Sequence, residues 1–202
     1  MMVKTQERQL GMHPKLLFDT IKRQAGTLVK ANAEGVQNSI EANSSFIKTS
    51  LYEIDGKYFL TIEDDGIGIQ TEEELIAHFE TFGTPHDESE NVIWKQFRMG
   101  RGQLFAFGEN VWRTSEFQME VDIEGRGLDY ILRHNLPSID GTKIDIGLYK
   151  NPLNGWPYYT MEGYKEALQK QVRYVSTDTF FNDEKVNVDP STLKWDYEDE
   201  YA

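Results

Sequence analysis

Glu34 and Asn38 stand four residues apart in a stretch whose apolar residues, Val29, Ala33, Val36 and Ile40, recur in steps of three and four. That period predicts an amphipathic helix with Glu34 and Asn38 on one face, away from its apolar side. A carboxylate can take a proton from water and an amide oxygen can ligate a hard cation. A solvated polar face is the plainer reading of the same pair. Asp64-Asp65-Gly66-Ile67-Gly68 closes a run of strand-forming residues. An ionised Asp only accepts hydrogen bonds, which suits an exocyclic amine such as that of adenine, and two glycines one residue apart let the backbone approach a flat ring or a phosphate. The same residue types also end strands in ordinary turns. Gly100-Arg101-Gly102 leads into a short helical segment. Amides at a helix start, with the dipole behind them, favour an anion, unless the glycines are a simple hinge. Asp140-Gly141-Thr142 enters the alternating run Lys143-Ile144-Asp145-Ile146. A Thr hydroxyl both donates and accepts and can relay a water to a base; a turn before a strand is the alternative.

The elements that must hold these groups are legible in outline. Pro14 can open a helix at its first turn, with Leu17, Ile21 and Ala25 on its apolar side, and Gly26 separates it from the helix that bears Glu34. Residues 46–53 and 57–63 are rich in β-branched and aromatic types around Asp55-Gly56, which predicts a hairpin. Thr71 followed by Glu74 has the capping-box spacing for a helix to about Phe82, and Gly83 to Glu90 reads as a loop. A short helix is expected over 103–107, strands over 111–123, 128–133 and 142–149, and a helix over 161–174. A last strand pair at 178–181 and 185–188 turns at Asn182-Asp183. This order predicts an α+β fold, a mixed and mostly antiparallel sheet backed by helices on one face.

Composition narrows the function classes. The 202 residues suit one large domain with at most a short extension. Hydrophobic residues at 39% against 27% charged supply a core and exclude a disordered chain. With no cysteine, disulfides, thiolate zinc sites, iron–sulfur clusters and cysteine nucleophiles are all excluded, which fits a reducing, cytoplasmic setting. His78, His86 and His134 show no metal-ligand spacing, and His13, before Pro14, reads as a helix-start residue. No run approaches the roughly 18–20 apolar residues of a membrane span, and the polar start shows no signal peptide, so no membrane contact is expected. The net charge of −13 argues against direct nucleic-acid binding by this domain alone. The charge is uneven: residues 1–30 hold six bases and two acids, and the last seven residues hold four acids and no base. No segment has the Gly-x-x-x-x-Gly-Lys-Ser/Thr of a P-loop or a strand–Gly-x-Gly-x-x-Gly–helix.

Taken in chain order, the four motifs resemble those of the GHKL superfamily: gyrase B, the ninety-kilodalton heat-shock chaperones, sensor histidine kinases and the MutL mismatch-repair proteins. Glu34-Gly35-Val36-Gln37-Asn38, continuing as Ser39-Ile40-Glu41-Ala42, is similar to the family's Glu-x-x-x-Asn box. Asp64, Gly66 and Gly68 match its Asp-x-Gly-x-Gly, residues 97–107 its glycine-rich lid end, and Gly141-Thr142 its late Gly-Thr. The resemblance spans roughly 14–188 and implies a Bergerat-type two-layer sandwich that binds ATP with Mg²⁺. It gives Asn38 the magnesium, Asp64 the adenine amine, and Gly66 and Gly68 the close approach to the ring. Thr142 supports the water network around Asp64. Residues 70–102 become the lid, with the Gly100 and Gly102 amides and Arg101 towards the phosphates, and Glu34 the base that activates water. Residues 1–13 become a strap for a homodimer, and 189–202 an acidic extension that could begin a further domain. A protein client is also implied. Two departures stand out. The lysine that gyrase-like members take from a following domain has no counterpart within these residues, leaving Arg98 or Arg101 as its substitute, and many members have an earlier glycine near Arg98. The function expected is slow ATP hydrolysis driving a lid and dimerisation switch. A kinase of the anti-sigma or histidine-kinase type, or a non-hydrolysing module that binds a partner, are the alternatives.

Overall fold

The computed structural model describes residues 14–79, 100–155 and 157–193. Helix α1 (Pro14–Gln24) and helix α2 (Leu28–Glu41) are separated at Gly26 as the periodicity predicts, and the Thr27 hydroxyl caps α2 by accepting from the Lys30 N–H at 3.3 Å. Strands β1 (Phe46–Ile54) and β2 (Lys57–Asp64) form the expected hairpin, its turn made by Asp55 and Gly56. Helix α3 (Glu72–Phe79) opens on the capping box: the Glu74 N–H donates to the Thr71 hydroxyl, and the Thr71 N–H to the Glu74 carboxylate, both at 3.2 Å. Helix α4 (Gly100–Phe105) includes Gly100-Arg101-Gly102, which the sequence reading puts ahead of the helix.

The stretch 111–123, read from sequence as one strand, is two: β3 (Gly108–Ser115) and β4 (Phe117–Val121), reversing at Ser115 with φ of 45°. The buried positions change phase there, from Asn110, Trp112 and Thr114 to Phe117, Met119 and Val121. Strand β5 (Tyr130–Arg133), strand β6 (Ile139–Leu148) and helix α5 (Met161–Val172) follow, and β7 (Asp178–Phe181) with β8 (Glu184–Lys185) ends the sheet.

The eight strands run β5-β4-β3-β6-β2-β1-β7-β8, all antiparallel except the β1–β7 pair. One sheet face carries the helices. Ile47, Leu51, Leu60, Ile62, Ile144 and Ile146 are buried on it, against Leu28, Val29 and Val36 of α2 and Leu104 of α4. Helix α2 lies unusually close, because a Cβ on Gly35 would stand 2.5 Å from the Ile62 Cδ1. The result is the α+β sandwich of the sequence reading, with α2 as the helix on which both sheet and helices converge. No helix among the described residues is long and apolar enough to cross a membrane.

Candidate functional site

The buried face of β2 reads Leu60, Ile62, Asp64: the alternation that fills the core puts a carboxylate at its last position. Register extends this sideways. Asp64 pairs with Thr142 of β6, and Thr142 with Thr114 of β3, so the apolar row Ile62–Ile144–Trp112 is succeeded by a polar row Asp64–Thr142–Thr114 at the sheet's end. Asp64 is 6% exposed and held from three sides. The Ser39 hydroxyl of α2 donates to Oδ2 at 2.7 Å, and the Gly66 and Thr142 N–H groups donate to Oδ1 at 2.9 and 3.3 Å.

The loop after Asp64 is anchored as firmly. Asp65 serves the scaffold: its carboxylate accepts from the Ser45 hydroxyl, the Ser45 N–H at 2.7 Å and the Phe46 N–H at 3.1 Å, tying the start of β1. The Ser45 hydroxyl, then the backbone at Phe46, hold its carboxyl below the usual range. The Ile67 N–H donates to the Ala42 carbonyl at the end of α2 (2.9 Å), leaving the Ile67 side chain 64% exposed. Gly68 has φ of 61°, and a Cβ there would meet the Thr114 hydroxyl at 2.7 Å and the Gly141 carbonyl at 2.8 Å. The Thr114 hydroxyl closes this corner, donating to the Gly141 carbonyl (3.1 Å) and accepting from the Ile69 N–H (2.8 Å). Gly141, at φ 68°, lies directly on the Asp64 and Asp65 backbone.

Glu34 and Asn38 are both half-buried on α2, one turn apart. Burial, and then the negative charge of Glu41, push the Glu34 carboxyl above its ordinary value, with Lys30 partly opposing. Ser39, the neighbour of Asn38, is the direct bond between this helix and Asp64. Asp64, Gly66, Gly68 and Thr142 thus lie together where β2 and β6 end, and Glu34 and Asn38 are carried on the helix whose Ser39 bonds Asp64. Gly100 and Gly102 lie within α4, which packs against α2. The side chain of Arg101, together with Arg98, residues 80–99 of the expected lid and the strap at 1–13, lies outside the described residues.

Two contributors escaped the sequence reading. Ser39 ties α2 to Asp64 through its hydroxyl, and its signal was its place on the buried side of α2, beside Asn38. Thr114 was marked only by ending the buried alternation of β3. Thr142 reaches Asp64 through its backbone N–H. Among the described residues no group of three acids or histidines gathers as metal ligands.

Residues 26–121 match the family model described as histidine kinase-, DNA gyrase B-, and HSP90-like ATPase. That stretch includes every site residue named from sequence except Thr142. The chain is also similar to a cysteine–tRNA ligase of Campylobacter concisus (strain 13826), with 26% identity over 159 residues, covering 70% of this chain and 33% of that protein. The chain thus spans about a third of the length of that relative.

Proposed function

Because residues 26–121 belong to the family of histidine kinase-, DNA gyrase B- and HSP90-like ATPases, the chain carries a GHKL-type ATP-binding domain, and we propose that it binds Mg-ATP at the Asp64 end of the sheet and hydrolyses it slowly. Bound nucleotide then drives closure of residues 70–102 and pairing of two chains through residues 1–13.

The observation that carries this reading is the state of Asp64. An ionised carboxylate has about four acceptor positions. Three are filled by Ser39, Gly66 and Thr142, which fixes the plane of the group and leaves one for an exocyclic amine. Ile67, exposed between two glycines, supplies an apolar surface beside it for a flat ring. Both glycines are required by their surroundings: a Cβ on Gly66 would meet the Ala42 carbonyl at 2.7 Å, and Gly68 is wedged against Thr114 and Gly141.

Asn38 faces the same side as Glu34 and offers one amide oxygen. With no cluster of acids among the described residues, a metal here would rest on Asn38 and the phosphates of the nucleotide, the few-ligand manner of Mg²⁺. Magnesium bound there supplies neutralisation of phosphate charge. The backbone N–H groups of Gly100 and Gly102 would donate to phosphate oxygens, and Arg101 beside them would add a cation. Glu34 would hold and then accept the proton of the attacking water. Its raised pKa brings it nearer the operating pH, where a general base is most effective.

Calorimetric titration tests the binding. Wild-type protein is expected to bind Mg-ATP with one site per chain, Asp64→Asn to bind at least tenfold more weakly, and GTP, which presents a carbonyl where adenine has its amine, to bind hardly at all. A wild-type protein that takes up no ATP, or takes ATP and GTP alike, overturns the assignment.

A further inference from the structure

The nucleotide-side residues occupy one end of β6, and the other end opens on a separate cavity of about 500 Å³. Thr142 and Leu148 are six residues apart on this strand, about 20 Å of extended chain. The cavity lies between the α1–α2 junction, the turn after α4 and the loop leaving β6. Leu28, Phe107, Leu148 and Tyr158 make its walls apolar, and Lys22 and Lys150 stand at its rim. One acid, Glu124, shares that rim, with its carboxylate 2.8 Å from the Lys22 Nζ, so these two charges offset each other. Lys150 makes no ion pair among the described residues. In a chain of formal charge −13, the hollow therefore carries an unpaired cation over an apolar floor.

The walls are also held in place. The Tyr149 hydroxyl donates to Asp122 at 2.7 Å and accepts from the Glu124 N–H at 3.3 Å. The Thr160 N–H donates to the Tyr158 carbonyl at 2.8 Å, closing a three-residue turn around Tyr159. Tyr159 takes a φ of 41°, which bulky side chains rarely adopt unless the surroundings impose it. Tyr158 is 7% exposed and packs edge-on against Tyr164.

We propose that this cavity is a second small-molecule site, one that takes an amphipathic monoanion: a single carboxylate or sulfonate on an aromatic or aliphatic body. The anionic head pairs with Lys150, and the body lies against Leu28, Phe107, Leu148 and Tyr158. The volume falls within the usual range for such ligands, and the pattern of apolar walls with one placed charge is that of small-molecule sites generally. Fixed walls reduce the ordering cost of binding.

Anilinonaphthalene sulfonate is a probe of this chemistry, read by its fluorescence on nucleotide-free protein. The expected result is saturable binding of one probe per chain, not displaced by Mg-ATP and competed by decanoate. Lys150→Glu, at an exposed position, should weaken it at least tenfold with an unchanged circular dichroism spectrum and melting temperature. Binding that does not saturate, that Mg-ATP displaces, or that Lys150→Glu leaves as strong overturns the proposal. The Lys150→Glu comparison is made without nucleotide, so it stands apart from whether the chain binds ATP.

Discussion

At the residue scale, Asp64 and Glu34 show how one chain gives two carboxylates different work. Asp64 is buried but surrounded by donors, and Ser39 is the one of the three that donates from a side chain, at 2.7 Å. Ser39→Ala should cost about 1.5–3 kcal/mol of stability, the range for a hydrogen bond to a charged group. It should also weaken ATP binding about tenfold, because the carboxylate loses its fixed plane; thermal melts and calorimetry read the two effects separately. Glu34 is half-buried with no such donor set among the described residues, and a second carboxylate, Glu41, works against its charge. A pKa above 4.5 in the folded chain means that the folded state holds this proton more tightly than the unfolded one. The stability so gained is full below the ordinary carboxylate range and is lost as pH rises through the folded value. Nucleotide-free Glu34→Gln should therefore melt higher than wild type at pH 7, with the difference vanishing near pH 4. Phosphate release by wild type should rise with pH along a limb whose midpoint exceeds 4.5, Glu41→Gln should move that midpoint down, and Glu34→Gln should abolish the limb. Equal release by Glu34→Gln and wild type at matched ATP occupancy removes Glu34 as the base.

At the element scale, the site depends on the spacing between α2 and the sheet. Gly35 sets that spacing against Ile62, and Ser39 bridges it one turn later. Gly35→Ala should cost about 1–3 kcal/mol by overpacking. Ile62→Val removes the atom that the new methyl would meet, so adding it should recover most of the loss; denaturant melts of the three variants decide. The Glu-x-x-x-Asn spacing, the two glycines after Asp64 and the hairpin at Asp55-Gly56 were legible because each is local, a helix period or a turn preference acting within a few residues. The polar row of Asp64, Thr142 and Thr114 was not, since strand register joins positions 78 residues apart that no local pattern links. The reversal at Ser115 lay between these cases. Trp112 and Thr114 against Phe117, Met119 and Val121 show a phase change that a single strand cannot carry, so the signal was present as a break in alternation.

At the scale of the whole molecule, the reading predicts a change of state with nucleotide. A non-hydrolysable ATP analogue with Mg²⁺ should raise the mass seen by sedimentation from that of one chain to that of two. Deletion of residues 1–13 should prevent this while leaving nucleotide affinity within a few-fold, and unimpaired pairing by the deletion variant would remove the strap. The parallel pairing of β1 with β7 bears on a different matter, the order in which the molecule can be made. Phe46 finds its partner Asp178 only 132 residues further along the chain. During synthesis β1 and β2 can pair at once, but the far side of β1 stays open until α5 and β7 have emerged. An unpaired strand edge of this kind is a template for other chains. The last short strands are thus less an ornament of the sheet than its closure against self-association, and a chain interrupted before Asp178 should be recovered from cells mostly as aggregate.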